Sequence, residues 1–183
     1  MSRWATLCVV ALFAGCATLA SRTEAPAFDL LGRVFVGYEG PAFSSNLRWQ
    51  HEAGRDEIWL MTPLGQTLAH IVSVPYSATF TAADQKEYHA ASVESLTRSA
   101  LGWELPVTLL RYWVRGEVAA GDPPSAVERT AEGRLARLTQ AGWQITFTHD
   151  GSSEQASLPR RLELTNGSQQ IRLVIDRWQN GAT

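Results

Sequence analysis

Cysteine is almost missing from this chain. Of 183 residues only Cys8 and Cys16 are cysteine, and both stand near the N-terminus. The rest can form no disulfide, so its stability must come from burial. Basic runs are missing too. The formal net charge is −2, with no cluster of Lys or Arg, which argues against a nucleic-acid partner. No apolar run approaches the roughly 20 residues that a membrane-spanning helix needs; the one from Trp4 to Ala14 stops well short. Catalytic signatures are lacking as well. There is no Gly-x-Ser-x-Gly elbow, no phosphate loop and no cysteine nucleophile beyond residue 16. His51, His70, His89 and His149 are scattered and make no ligand motif, so neither a metal nor another cofactor is expected. An enzyme is therefore the disfavoured class; it would need a triad assembled from distant residues.

What is present begins at the N-terminus. Arg3, the short apolar run and then Phe13-Ala14-Gly15-Cys16 read as an export signal ending at a lipidation site. Small residues at the two positions before the cysteine fit a bacterial lipobox; Phe13 stands where leucine is usual. Cutting before Cys16 makes residues 1–15 a signal peptide and leaves an acylated cysteine at the new N-terminus. A plain secretory signal cut after Ala20 is the competing reading. Ala17 follows the cysteine, and an aspartate there commonly retains lipoproteins in the inner membrane. By that analogy the expected destination is the periplasmic face of the outer membrane. Residues 16–27 are small or polar, include Pro26, and read as a tether. Residues 28–183 then form a single domain, large enough for a core.

Aromatic residues are plentiful. Of seven tryptophans only Trp4 precedes Cys16, and large rings suit a thick core or an apolar cavity. Several segments alternate with period two, the mark of antiparallel strands with one wet face. Phe43, Ser45, Leu47 and Trp49 share one face; Trp143, Ile145 and Phe147 share another. Further strands are predicted at 31–38, 57–61, 67–72, 78–81, 161–165 and 170–178. The last two flank Asn166-Gly167, a turn dipeptide. Ser92 is placed to cap a helix that Gly102 ends, and Pro106 to open a second helix running toward Gly116. Residues 116–134 read as a loop. Strands, a helical pair and strands again imply a mainly β fold with helices. The expected form is an open, incomplete antiparallel barrel with a helical lid over an apolar cavity.

A set of short blocks appears in order. They are Leu31-Gly-Arg-Val-Phe-Val, Asn46-Leu-Arg-Trp, Thr62-Pro-Leu-Gly-Gln-Thr, Leu101-Gly-Trp-Glu-Leu-Pro-Val and Leu110-Arg-Tyr-Trp-Val-Arg-Gly. Gln140-Ala-Gly-Trp, Leu158-Pro and Ile171-Arg-Leu-Val-Ile-Asp-Arg-Trp complete the series. With the lipobox, it resembles the LolB family of outer-membrane lipoprotein receptors, over about residues 28–178. The resemblance implies a receptor that takes acylated lipoproteins from a LolA-like periplasmic carrier and inserts them into the outer membrane. The protein would act as a monomer, held to outer-membrane lipids by its own acyl anchor. It also implies that an apolar residue at a protruding loop tip serves insertion. The matching motif is Pro63-Leu64-Gly65, so Leu64 inherits that role.

The residues by themselves leave alternatives. Thr62 to Gly65 suits a tight turn whose leucine either protrudes or folds back into the core. Trp49, Leu109 and Trp113 are candidates for the cavity or its lid, with plain core packing as the other reading. Arg33 either pairs a buried carboxylate or points outward. A scaffold lipoprotein, or a carrier of another lipid-like cargo, would share the architecture.

Overall fold

The computed structural model describes residues 27–38, 42–151 and 157–179. The expected signal peptide, Cys16 and nearly all of the expected tether lie outside them. The chain runs β1 (Phe28–Gly37), β2 (Phe43–Glu52), β3 (Arg55–Met61), β4 (Thr67–Val74), β5 (Ser77–Ala82) and β6 (Glu87–Ala90). Two helices follow, α1 (Val93–Leu101) and α2 (Val107–Trp113). Then come β7 (Ala126–Arg129), β8 (Leu135–Gln140), β9 (Trp143–His149), β10 (Pro159–Asn166) and β11 (Gln169–Gln179). All eleven strands form one antiparallel sheet in the order β6-β5-β4-β3-β2-β1-β11-β10-β9-β8-β7. The first and last strands pair at its centre, and β6 and β7 are its two free edges. The chain between those edges is the helical pair, so the barrel stays open where the helices lie.

Period-two alternation sets the faces. Leu30, Leu47, Trp49, Ile58, Ile71, Phe80, Ile145, Leu164 and Leu173 point inward and are buried. The α2 residues Val107, Leu110 and Trp113 close over them. The outer face is polar. Asp29 accepts hydrogen bonds there from Arg48 and Gln50. That bond raises the already high Arg48 pKa, against the opposing effect of burial. Arg33 points outward and pairs with Asp176, itself part-exposed.

The centre of the sheet carries a bulge. Leu31 faces Arg177 and Gly32 faces Ile175, so Asp176 is the extra residue. A Cβ on Gly32 would lie 2.3 Å from the Val174 carbonyl oxygen. Only glycine permits that approach. Gly32→Ala is expected to cost about 1–3 kcal/mol, the usual penalty for overpacking, read as a lower urea midpoint. An unchanged midpoint would mean that the strands part freely at this point.

Helix α1 begins and ends where its caps predict. The Ser95 amide donates to Ser92 Oγ at 3.2 Å, and Gly102 takes φ 77°. Helix α2 is shorter than expected and ends at Trp113. Three strands lacked a sequence signal. β7 lies inside the expected loop, and all four of its residues are exposed, so nothing alternates. β8 pairs with it through an irregularity at Glu128/Arg129, and buries Leu135 and Leu138 at a spacing of three. β6 is a short, mostly exposed edge. The last hairpin pairs Asn166 with Gln169, so its turn is Gly167-Ser168, with Gly167 at φ 58°.

Candidate functional site

An apolar cavity of about 250 Å³ opens at one end of the sheet. Tyr38, Phe43, Leu60, Leu68, Ala69, Phe80 and Trp103 line it. The strand register explains its place. Tyr38 and Phe43 flank the β1–β2 connection, Leu60 is near the end of β3, and Leu68 and Ala69 begin β4. Leu60 faces Ala69 and Met61 faces Thr67, so Leu68 is a bulged residue. Bulges re-aim side chains beside sites, and here Leu68 joins Ala69 in the cavity wall. Trp103 comes from the link between the helices, which covers the mouth.

The β3–β4 connection projects from the same end. The Thr62 carbonyl accepts the Gly65 amide at 2.9 Å, and Thr62 Oγ1 accepts the Gln66 amide at 3.1 Å. Pro63 fills the second turn position, for which its fixed φ is suited. Gly65 has φ 82° with open space around it, so the left-handed backbone alone calls for glycine. Leu64 at the tip is 89% exposed. It does not fold back into the core.

A family model described as "LolB: Outer membrane lipoprotein LolB" matches residues 26–178. The chain belongs to the LolB family. Outer-membrane lipoprotein LolB of Thiobacillus denitrificans is 38% identical over 175 residues, covering 91% of each chain. The Azoarcus sp. protein of the same name is 33% identical over 185 residues, covering 96% of this chain and 94% of its own. The crystal structure of a LolA superfamily protein from Nitrosomonas europaea aligns with a TM-score of 0.52 at 6% identity. It covers 88% of this chain and 89% of that one. That likeness establishes a shared fold. LolB membership and this fold fit the open barrel with a helical lid.

Within this LolB-family chain, the remaining candidates sit elsewhere. Trp49 is buried in the core at 1% exposure, edge-on to Phe28. Trp113 is fully buried and donates to Gln140 Oε1 at 2.9 Å. Leu109 is half-buried on α2. None of the three lines the cavity. Trp103 is one of the large rings suited to a cavity; the other lining residues carry no sequence signal, because lining depends on where along a strand a side chain stands. Alternation gives the face and not the end.

The lid is held by specific bonds. Thr97 Oγ1 donates to the Val93 carbonyl and accepts the Leu105 amide at 3.0 Å. Glu94 accepts the Thr108 amide at 2.9 Å. The two helices are thus laced together. Across the sheet, Asp56 is 2% exposed and takes three groups. Trp49 Nε1 donates to its Oδ1 at 2.9 Å, His51 Nδ1 lies 2.8 Å from the same oxygen, and Arg111 of α2 reaches Oδ2 at 3.2 Å. Gln140 holds the other side, accepting from Trp113 and Ala119 and donating back to the Ala119 carbonyl. No group of metal-ligating side chains occurs among the described residues. No helix among them is long and apolar enough to cross a membrane.

Proposed function

We propose that this LolB-family protein accepts acylated lipoproteins from a LolA-like periplasmic carrier and inserts them into the outer membrane. One observation carries the reading: the apolar cavity opens at the end of the sheet from which exposed Leu64 projects. Cargo shelter and membrane contact then lie at one end of the molecule. The reading includes acylation of Cys16, a tether over residues 16–27 and action as a monomer.

The physical task is sheltering acyl chains. Each methylene exposed to water costs about 0.8 kcal/mol. Walls of Phe43, Leu60, Phe80 and Trp103 remove that cost. The cavity is smaller than the roughly 300–1,000 Å³ of common ligand pockets, so entry of a chain requires Trp103 and its link to move. Because α1 and α2 are laced together, they shift as one cover. Transfer needs no energy source if affinity rises from carrier to receptor to bilayer. Leu64 contributes about 1.5–3 kcal/mol on entering lipid. That is too little to anchor the body and enough to orient the mouth.

A transfer assay tests this. The soluble domain is incubated with carrier loaded with acylated protein. Cargo is expected to move to the domain only when acylated. Complex formation indifferent to acylation would favour a scaffold instead.

A further inference from the structure

The end of the sheet opposite the cavity carries its own exposed apolar tip. Val74 pairs with Ser77, so Pro75 and Tyr76 form a two-residue turn between β4 and β5. Tyr76 is 94% exposed and has φ 64°. Pro75 followed by a residue at positive φ is the arrangement in which glycine or asparagine is the usual choice. A bulky side chain there is strained. The ring recovers nothing inside the fold, because it is almost wholly in solvent. Val74 beside it is 39% exposed. A strained and unburied aromatic is explained by a contact outside the molecule.

The register says what lies near this tip. Phe28 pairs with His51 at the end of β2, and Asp56 at the start of β3 pairs with Ser73 at the end of β4. The N-terminus of the barrel therefore leaves from the Tyr76 end. On the anchoring part of the proposed function, the tether leads from here to an acylated Cys16. The surface nearest that end is then the bilayer. Tyrosine suits the headgroup layer, where its ring is in apolar surroundings and its hydroxyl stays wet.

We infer that the Val74-Pro75-Tyr76 tip rests in the headgroup region of the membrane that holds the anchor. This contact defines a resting pose. Leu64 and Tyr76 cap opposite ends of β4, whose eight residues separate them by roughly 26 Å. In an upright pose only one tip meets the leaflet. With Tyr76 down, the cavity mouth faces the periplasm, where a carrier arrives. Insertion through Leu64 then requires the body to turn over. The eleven residues between Cys16 and Phe28 reach roughly 38 Å at full extension, enough to permit that turn.

The test uses the lipidated protein in vesicles of phosphatidylethanolamine and phosphatidylglycerol. Once the signal is removed and Cys16 is acylated, no free thiol remains, so Tyr76→Cys supplies a unique labelling site. An environment-sensitive fluorophore there is expected to brighten and shift to the blue on reconstitution. The same label at Gln85→Cys, on the β5–β6 connection at the far end, is expected to stay in water. Flotation of the protein with an unmoved label at 76 would overturn this inference and leave the anchor reading intact. Equal shifts at both sites would mean that the molecule lies flat, and would overturn the pose. A shift at 76 seen only on adding carrier would assign the tip to a protein partner instead. Failure to float would overturn the anchor and this inference together. Tyr76→Gly is expected to hold or raise Tm, since glycine accepts the turn; a lower Tm would show that the ring serves the fold.

Discussion

Leu64→Glu is expected to abolish delivery of cargo into vesicles while leaving folding and cargo uptake intact. The leucine is 89% exposed at a turn whose hydrogen bonds come from Thr62 and the backbone. Nothing in the core depends on it, so the stability change should stay within about 0.5 kcal/mol. The membrane step changes much more. Burying a leucine is worth about 1.5–3 kcal/mol, and a carboxylate placed in lipid costs up to about 3 kcal/mol more. The two together amount to a loss of roughly one to four powers of ten in tip insertion. Thermal melts, uptake from the loaded carrier and transfer to vesicles separate these steps. Normal transfer by the variant would remove Leu64 from the mechanism.

Asp56→Ala should be the most damaging substitution in the core. The carboxylate sits between β2, β3 and α2, accepts from Trp49 Nε1, pairs with the Arg111 guanidinium and adjoins His51. Removing it leaves a cation and further polar groups without their partner. Breaking a buried pair in this way costs about 3–5 kcal/mol, a large share of the roughly 5–15 kcal/mol that holds a domain together. Asp56→Asn keeps one oxygen acceptor and should cost less. Urea unfolding ranks the three proteins. Equal midpoints would show that water replaces the carboxylate at no cost. Because Arg111 belongs to the cover, the Asn variant is also expected to loosen α2, read as faster amide exchange there.

The strands that alternate cleanly were legible in the sequence. Ser45, Leu47 and Trp49, and likewise Trp143, Ile145 and Phe147, are buried as their spacing assigns, with Phe43 half-buried at its strand's start. So were the ends of α1, because Ser92 and Gly102 act locally. β6, β7 and β8 were not legible. Edge strands exist because a neighbour supplies hydrogen bonds, and the irregularity beside Arg129 breaks the alternation of β8. Trp49 and Trp113 are large rings of the core, whereas the cavity is lined by Trp103 and by residues near the ends of β2, β3 and β4.

The family, the mainly β fold and the turn at Pro63 to Gly65 were determined by the amino-acid order alone. Each depends on residue type at fixed spacing, which pairing partners do not alter. Only the tertiary structure decided that Leu64 projects from the same end of the sheet as the cavity, and Tyr76 from the opposite end. It also decided that Asp56 ties a lid helix to the sheet and that Gly32 must lack a side chain. Those facts follow from strand register and from where a bulge falls, and both are set by contacts between segments far apart in the chain.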